Sequence, residues 1–558
     1  MHFSIFDTIV VIVYLIGIGG IGIYQARKVH GSGDFFAGGR KFNKFLMIMH
    51  NLGTGTHADD PVVVAGASYQ RGFSGIWYTF VYLFITPFYW IIAPYFRRSR
   101  FLTTSDFFEA RFGERLGLLY AIMSIVIFTI NMGTMLKGSG TIVQAVTQGA
   151  VPEWVAVVGM AVVFISYGTA GGLVATVITE SIQGLLIVVM SLLLVPFGLY
   201  KIGGFSGLHQ LLDADKFNLS GPQEFSILWI IAAMIANLVG IVAQPHVMEI
   251  CSTGKTEWEG RIGFTYGAFI KRFCSLGWMM TGVIVLAMVG KGLIDPLPAR
   301  ELAFGTAIRN LLPVGFIGLM FASILAAQMA ALSAFMVAAS ALFSRNIYRK
   351  WLHPQATDAQ VVKTARYSGL VIVATGTLFA FIVPGVADAL IYFWTVATFL
   401  GTFVWAGVIW RKTNEIGAWL SFFTMILIWT LVGPIGIKFH QIFPDVAWLG
   451  IYGTKDAFPM LLISYLPAGI IMLIAGSLLG KPRDKKILDD FYQLLKTPVG
   501  QEQKLIDAGI NIVYAGQSEG HRWELNHPRL VNWLGFLVAL IVTLGFFGIL
   551  FILAALGS

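Results

Sequence analysis

The run His50-Asn-Leu-Gly-Thr-Gly-Thr-His-Ala-Asp-Asp-Pro61 sets the terms for the whole chain. It interrupts an apolar stretch from about 45 to 69, long enough to cross a bilayer at about 1.5 Å per residue. An ionised side chain at the bilayer centre costs at least about 2.5–3.5 kcal/mol on insertion scales. Broken backbone is tolerated at that depth only where it is buried in protein or lines a water-filled cavity. A lipid-facing helix is therefore excluded. Two readings remain: a binding site for something that crosses the membrane, or a polar knot bracing neighbouring helices. The adjacent Asp59 and Asp60 favour the first, because paired acids are costly bracing.

A chain of 558 residues ordinarily divides into several soluble domains, but 56% hydrophobic and 12% charged residues point to a polytopic membrane protein. The net charge of +9 sits in short loops between apolar runs, so it signals membrane orientation and no nucleic-acid partner. Cys251 and Cys274 support neither a disulfide framework nor a zinc site. The first apolar run, about Ser4 to Tyr24, lacks a basic leader and a small-residue cleavage site, and reads as a retained helix.

About fourteen spans are expected: 5–25, 45–69, 74–96, 117–147, 153–169, 175–200, 225–250, 265–291, 313–343, 365–384, 389–410, 416–436, 459–479 and 531–556. Placing both termini outside puts 29 basic residues in inner loops against 8 in outer ones, with Lys137 left inside a span. That inner count includes Lys255 to Arg272 as loop residues. The implied division is 1–44 (an extra helix and loop), 45–200, 225–410, 411–480, a cytoplasmic loop 481–530, and a last helix 531–558. Within that loop, Ile487, Leu488, Phe491, Leu494 and Leu495 space as a short amphipathic helix.

A second interrupted span lies at Asn237-Leu-Val-Gly-Ile-Val-Ala-Gln-Pro-His-Val-Met-Glu249. Broken spans in corresponding positions of two halves are the best sequence pointer to a transporter site. Spans two to six and seven to eleven would form those halves, inverted relative to one another because the first starts inside and the second outside.

Several stretches then carry a family resemblance. They are Asp34-Phe-Phe-Ala-Gly-Gly-Arg40, Ala65-Gly-Ala-Ser-Tyr-Gln-Arg-Gly72, Tyr167-Gly-Thr-Ala-Gly-Gly through Glu180 to Gly184, Gln244-Pro-His246, and Ala326 to Tyr348. Together they resemble the sodium:solute symporter family of sugar, proline and pantothenate carriers, over about residues 5–480. The resemblance implies an all-α, leucine-transporter-type 5+5 inverted repeat with flanking helices. It also implies alternating access driven by a bound cation, and no cofactor beyond Na⁺ or H⁺ as coupling ion.

It further implies a sodium site built from carbonyls at Gly53, Thr56 and Ala327 plus two hydroxyls on the eighth core helix. Those hydroxyl positions hold Ala330 and Ala331, so the site is degenerate and H⁺ enters as an alternative coupling ion. Asp59 and Asp60 fall where sugar carriers of the family place substrate-contacting or outer-gate residues. Acids there attract a cation, recognise a positive substrate, or trap a proton between like charges. Glu180 keeps a carboxylate where the family has Asp. His57 is a proton carrier or a satisfied core histidine. Lys137 is a counter-ion to one of these acids or a snorkelling side chain; its distance from the span's end favours the ion pair. Gln244 and His246 line the opposite wall from the acids.

The function expected is cation-coupled symport of a small organic solute in a bacterial inner membrane, with membrane lipid as its other partner. A solute sensor signalling through 481–530, or an uncoupled carrier, is the alternative. No metal-binding His cluster, nucleophile motif or phosphate loop supports an enzyme.

Overall fold

In the computed structural model, the described residues are 4–26, 40–168, 172–221, 224–435, 438, 442, 457–513 and 530–558. The loop stretch 34–39, residues 169–171 with the first glycine of the Gly-Gly turn, and the loop part 514–529 lie outside them. Among the described residues nine helices are long and apolar enough to cross a membrane, or eleven if two bent pairs each count as one span. Two further expected spans, near 5–25 and 153–169, hold shorter apolar helices at Ile5–Ile21 and Glu153–Val162. The protein is an all-helical, multi-pass integral membrane protein.

The elements that build the centre are α1 (Ile5–Ala26), α2 (Lys44–Gly55), α3 (Asp59–Arg71), α4 (Thr86–Ser99), α5 (Glu114–Val146) and α6 (Gly172–Ile202). They are followed by α7 (Ile227–Gly240), α8 (Pro245–Thr253), α9 (Glu257–Gly290), α10 (Phe316–Ala341), α11 (Asp358–Ile382) and α12 (Val386–Ile409). The pair α2/α3 is wedged between α5, α6, α9 and α10.

Both interruptions have local causes. Asn43 caps α2 by accepting from the Leu46 amide, and the helix ends where Thr56 turns extended at φ −125°, ψ 121°. The chain re-enters helix at Asp59 with both acids and Pro61 in the first turn. There a helix N-terminus favours negative charge, and proline's missing N–H breaks no helical bond. The Asp60 carboxylate accepts from the His57 amide at 3.1 Å, satisfying a donor that the break would strand. In the second pair, a short 3-10 turn at Ile241–Ala243 leads to Gln244, extended at φ −72°, ψ 119° as a residue before proline prefers, and Pro245 starts α8. The two parts are bent by 59°.

Helix α9 begins eight residues before the expected 265, at a Thr256–Glu259 capping box. Lys271 and Arg272 are therefore not loop residues; they lie inside α9, with Arg272 buried. A repeating register brings α9 against α2. A methyl at Gly263 would sit 2.5 Å from Met47 Cβ, and one at Gly267 would sit 2.8 Å from Asn51 Cβ. Four residues further on, Lys271 reaches the Gly55 carbonyl. Small residues at this spacing let two backbones approach closely, and here the approach delivers a lysine to the end of the broken helix.

The amphipathic helix expected in the 481–530 loop is present at Lys485–Lys496, burying Leu488, Phe491, Leu494 and Leu495 while Ile487 is exposed. Arg100, left-handed at φ 55°, ends α4 and donates to the carbonyls of Thr497 and Pro498 at 3.1 and 2.8 Å and to Glu502 at 2.9 Å. This ties the segment to the bundle.

Candidate functional site

His57, Asp59, Asp60, Gln244 and His246, the five residues expected to contact substrate, all line one cavity of about 100 Å³. A dry cavity of about 150 Å³ holds a benzene-sized guest, so the space is of the order of a small solute. The acids come from the N-terminus of α3 and the amide and imidazole from the second break. The two interruptions thus face each other across it.

Neither acid is free. His57 Nδ1 lies 2.6 Å from Asp59 Oδ1, and Lys271 Nζ lies 2.9 Å from Asp60 Oδ2. His246 packs on the Phe335 ring at 5.0 Å, and its Nδ1 has no hydrogen-bond partner. Arg272, beside Lys271, lies over the Tyr82 ring at 4.9 Å.

Lys137 does form an ion pair, but with Glu153 at 3.1 Å and with no acid of the cavity; it also donates to the Ala380 carbonyl at 3.3 Å. The reason is one residue of helical rotation. Gly138 is the position on α5 that faces the break, where a methyl would sit 2.6 Å from Asp59 Cα. Lys137, about 100° around the helix, points toward Glu153.

The residues expected to hold the cation separate into two places. Thr56 and Ala327 line a second, narrower cavity together with Ser191 and Ser323, and the Thr56 hydroxyl there has no partner. Gly53 instead faces Glu180, where a methyl would sit 2.9 Å from Glu180 Cγ. Glu180 is fully buried and doubly held, by His50 Nδ1 at 2.6 Å and by the Thr54 hydroxyl at 3.0 Å. Ala331 is fully buried, and the Ala330 side chain lies outside the described residues.

Sequence reasoning missed Lys271, Arg272 and His50. The first two were absorbed into a loop count, although they lie well inside an apolar helix. His50 was visible one turn before Thr54 on the broken helix, but its partner is 130 residues away.

At one end of the cavity Tyr78 separates it from another of about 290 Å³. The Tyr78 hydroxyl donates to Glu224 at 2.7 Å, and Glu224 accepts from Arg300 at 3.0 Å. Burial alone would lower the Arg300 pKa, but Tyr78 and Glu224 beside it hold it above its ordinary value, so this guanidinium stays charged.

Facing helix breaks around a small polar cavity, inside a bundle of apolar helices, define a membrane transporter. The comparisons say which kind. The model of the sodium:solute symporter family matches residues 35–427, and the chain belongs to that family. It is 24% identical over 506 residues to a sodium/pantothenate symporter of Haemophilus influenzae, covering 85% of this chain and 96% of that one. With a sodium/glucose cotransporter of Vibrio parahaemolyticus it shares 23% over 453 residues, 74% of this chain and 82% of that one. An osmoregulated proline transporter of Bacillus subtilis is 25% identical over 445 residues, 75% and 88% of the two chains. In fold it matches a substrate-bound, outward-open Na⁺-coupled sialic acid symporter with a TM-score of 0.74 at 16% identity, covering 87% of this chain and all of that one. The protein is a transporter and not an enzyme.

Proposed function

We propose that this chain is a secondary active symporter that moves a small organic solute by alternating access, the solute occupying the cavity between the two helix breaks. The observation that carries this reading is the convergence of His57, Asp59 and Asp60 from one break with Gln244 and His246 from the other. A chain that merely braced its helices would have no reason to keep a cavity at that point. The family and its relatives, named as sodium-coupled carriers of glucose, pantothenate and proline, support cation coupling.

The architecture in this reading is a 5+5 inverted repeat over 45–200 and 225–410, with about fourteen spans and both termini outside. The coupling ion is Na⁺ by family. Ala330 and Ala331 remove two hydroxyl ligands, which leaves of the expected set the carbonyls of Gly53, Thr56 and Ala327, with the hydroxyls of Thr56, Ser191 and Ser323 in the cavity that Thr56 and Ala327 line. The alternative ion, H⁺, has two candidate carriers that join an imidazole to a carboxylate, His57–Asp59 and His50–Glu180.

The test is the thermal stability of the purified protein in NaCl against choline chloride at matched ionic strength and several pH values. A ligand at 100 times its Kd adds about 2.7 kcal/mol to the folded state if it does not bind the unfolded one. A Na⁺-specific rise supports sodium coupling. A pH-dependent shift without Na⁺, lost in Asp59→Asn or Glu180→Gln, supports proton coupling. Indifference to both ions contradicts symport and leaves an uncoupled carrier or a sensor.

A further inference from the structure

One charged group on the wall of the cavity lacks hydrogen-bond acceptors among the described residues. Asp59 is engaged by His57, and Asp60 by Lys271. Arg272 is 96% buried, only 4% of it exposed, and lines the same cavity. Its Nε and Nη1 have no hydrogen-bond partner. Its contact with the Tyr82 ring at 4.9 Å attracts a cation, but it supplies no acceptor for the N–H groups. A buried charge is kept only where it is paired and hydrogen-bonded, and a guanidinium cannot escape by losing its proton. Among the described residues no acceptor meets Nε or Nη1 of Arg272, although the Asp60 carboxylate acts on its charge from a distance.

Two other orphaned groups on the wall point the same way, while His246 Nδ1, also without a partner, donates or accepts according to its tautomer. Asn131 Nδ2 and Gln244 Nε2 are buried donors without acceptors, and both line this cavity. Arg272 carries the argument, because unlike the two amides it has no acceptor end to turn inward. The two carboxylates, in contrast, are already engaged, Asp59 by His57 and Asp60 by Lys271. What the cavity lacks is an acceptor-rich, negatively charged group.

We propose that Arg272 receives the carboxylate of the transported solute, with Asn131 and Gln244 hydrogen-bonding the same end of the molecule. The substrate class is then a small organic acid or a zwitterion, against a neutral sugar or an organic cation. This rests on the reading of the cavity as the solute site.

The experiment uses the full-length protein in detergent, in sodium methanesulfonate without chloride, and reads thermal stabilisation by L-lactate, pyruvate, succinate and L-proline. Glucose, myo-inositol, choline and chloride serve as comparison probes. At least one carboxylate is expected to stabilise the protein. Arg272→Gln is expected to weaken its apparent affinity by about tenfold to a hundredfold, the range for a lost hydrogen bond to a charged group. Arg272→Lys keeps the charge without the planar fork and is expected to lose roughly tenfold, which keeps the test open if Arg272→Gln does not fold. The proposal is overturned if only glucose or inositol stabilises, if chloride alone reproduces the carboxylate effect, or if the carboxylate affinity is unchanged in either variant. Failure of the symport reading is distinguishable, because it removes the sodium response while leaving an Arg272-dependent carboxylate response in place.

Discussion

Lys271 Nζ lies 2.9 Å from Asp60 Oδ2 and also donates to the carbonyl of Gly55, so one ammonium spans the break between α2 and α3. Both side chains are nearly buried, at 13% and 12% exposed. Removing one member leaves the other charge uncompensated, at a cost of about 3–5 kcal/mol for a buried pair. Asp60→Asn and Lys271→Met are each expected to lower stability on that scale and to abolish uptake. The double variant is expected to recover most of the stability and none of the transport. A double-mutant cycle by chemical unfolding checks this; additive losses would mean that the two charges are not coupled.

Gly53 and Gly55 give opposite expectations two residues apart. A methyl at Gly53 meets Glu180, which His50 and Thr54 hold in place, whereas a methyl at Gly55 meets nothing within 4 Å. Gly53→Ala is expected to cost about 1–3 kcal/mol by overpacking and to blunt any ion response that passes through Glu180. Gly55→Ala is expected to leave both intact. Thermal midpoints with and without Na⁺ read the difference.

The Lys137–Glu153 pair is a weaker interaction. Glu153 is 32% exposed, and the pair sits away from the cavity. Lys137→Met is expected to change stability by no more than about 1 kcal/mol, as for partly solvated ion pairs, and to leave the ion response unchanged. A lost ion response in that variant would restore Lys137 to the site.

Restoring an oxygen at Ala331 tests whether the positions that the family resemblance gives to sodium-site hydroxyls belong to the cation site here. The position is fully buried on α10, so a serine there must bond its own helix one turn back or a ligand. Ala331→Ser together with Ala330→Ser is expected to lower the Na⁺ concentration needed for half-maximal stabilisation. An unchanged sodium titration would separate these positions from the cation.

The helix breaks were legible because glycine, proline, histidine and acids at membrane depth admit few explanations, and Gln244-Pro245 forces an extended residue wherever it lies. The convergence of the two breaks on one cavity followed from position alone. The charge pairs were not legible. Lys271 and Arg272 looked like loop residues because positive residues near span ends orient a membrane protein, and nothing in a linear pattern distinguishes that role from burial. The face that Lys137 presents depended on a single residue of rotation, with Gly138 taking the inward position. His50 and Glu180 meet only because α2 and α6 pack together.

The most direct test of the central claim is the uptake of a radiolabelled candidate carboxylate solute into proteoliposomes under an inward cation gradient. Na⁺ is compared with choline, and wild type with Asp60→Asn. The account predicts concentrative uptake that requires the Na⁺ gradient, or a proton gradient in its place, and that vanishes in the variant. Solute binding with no concentrative uptake under either gradient would contradict it.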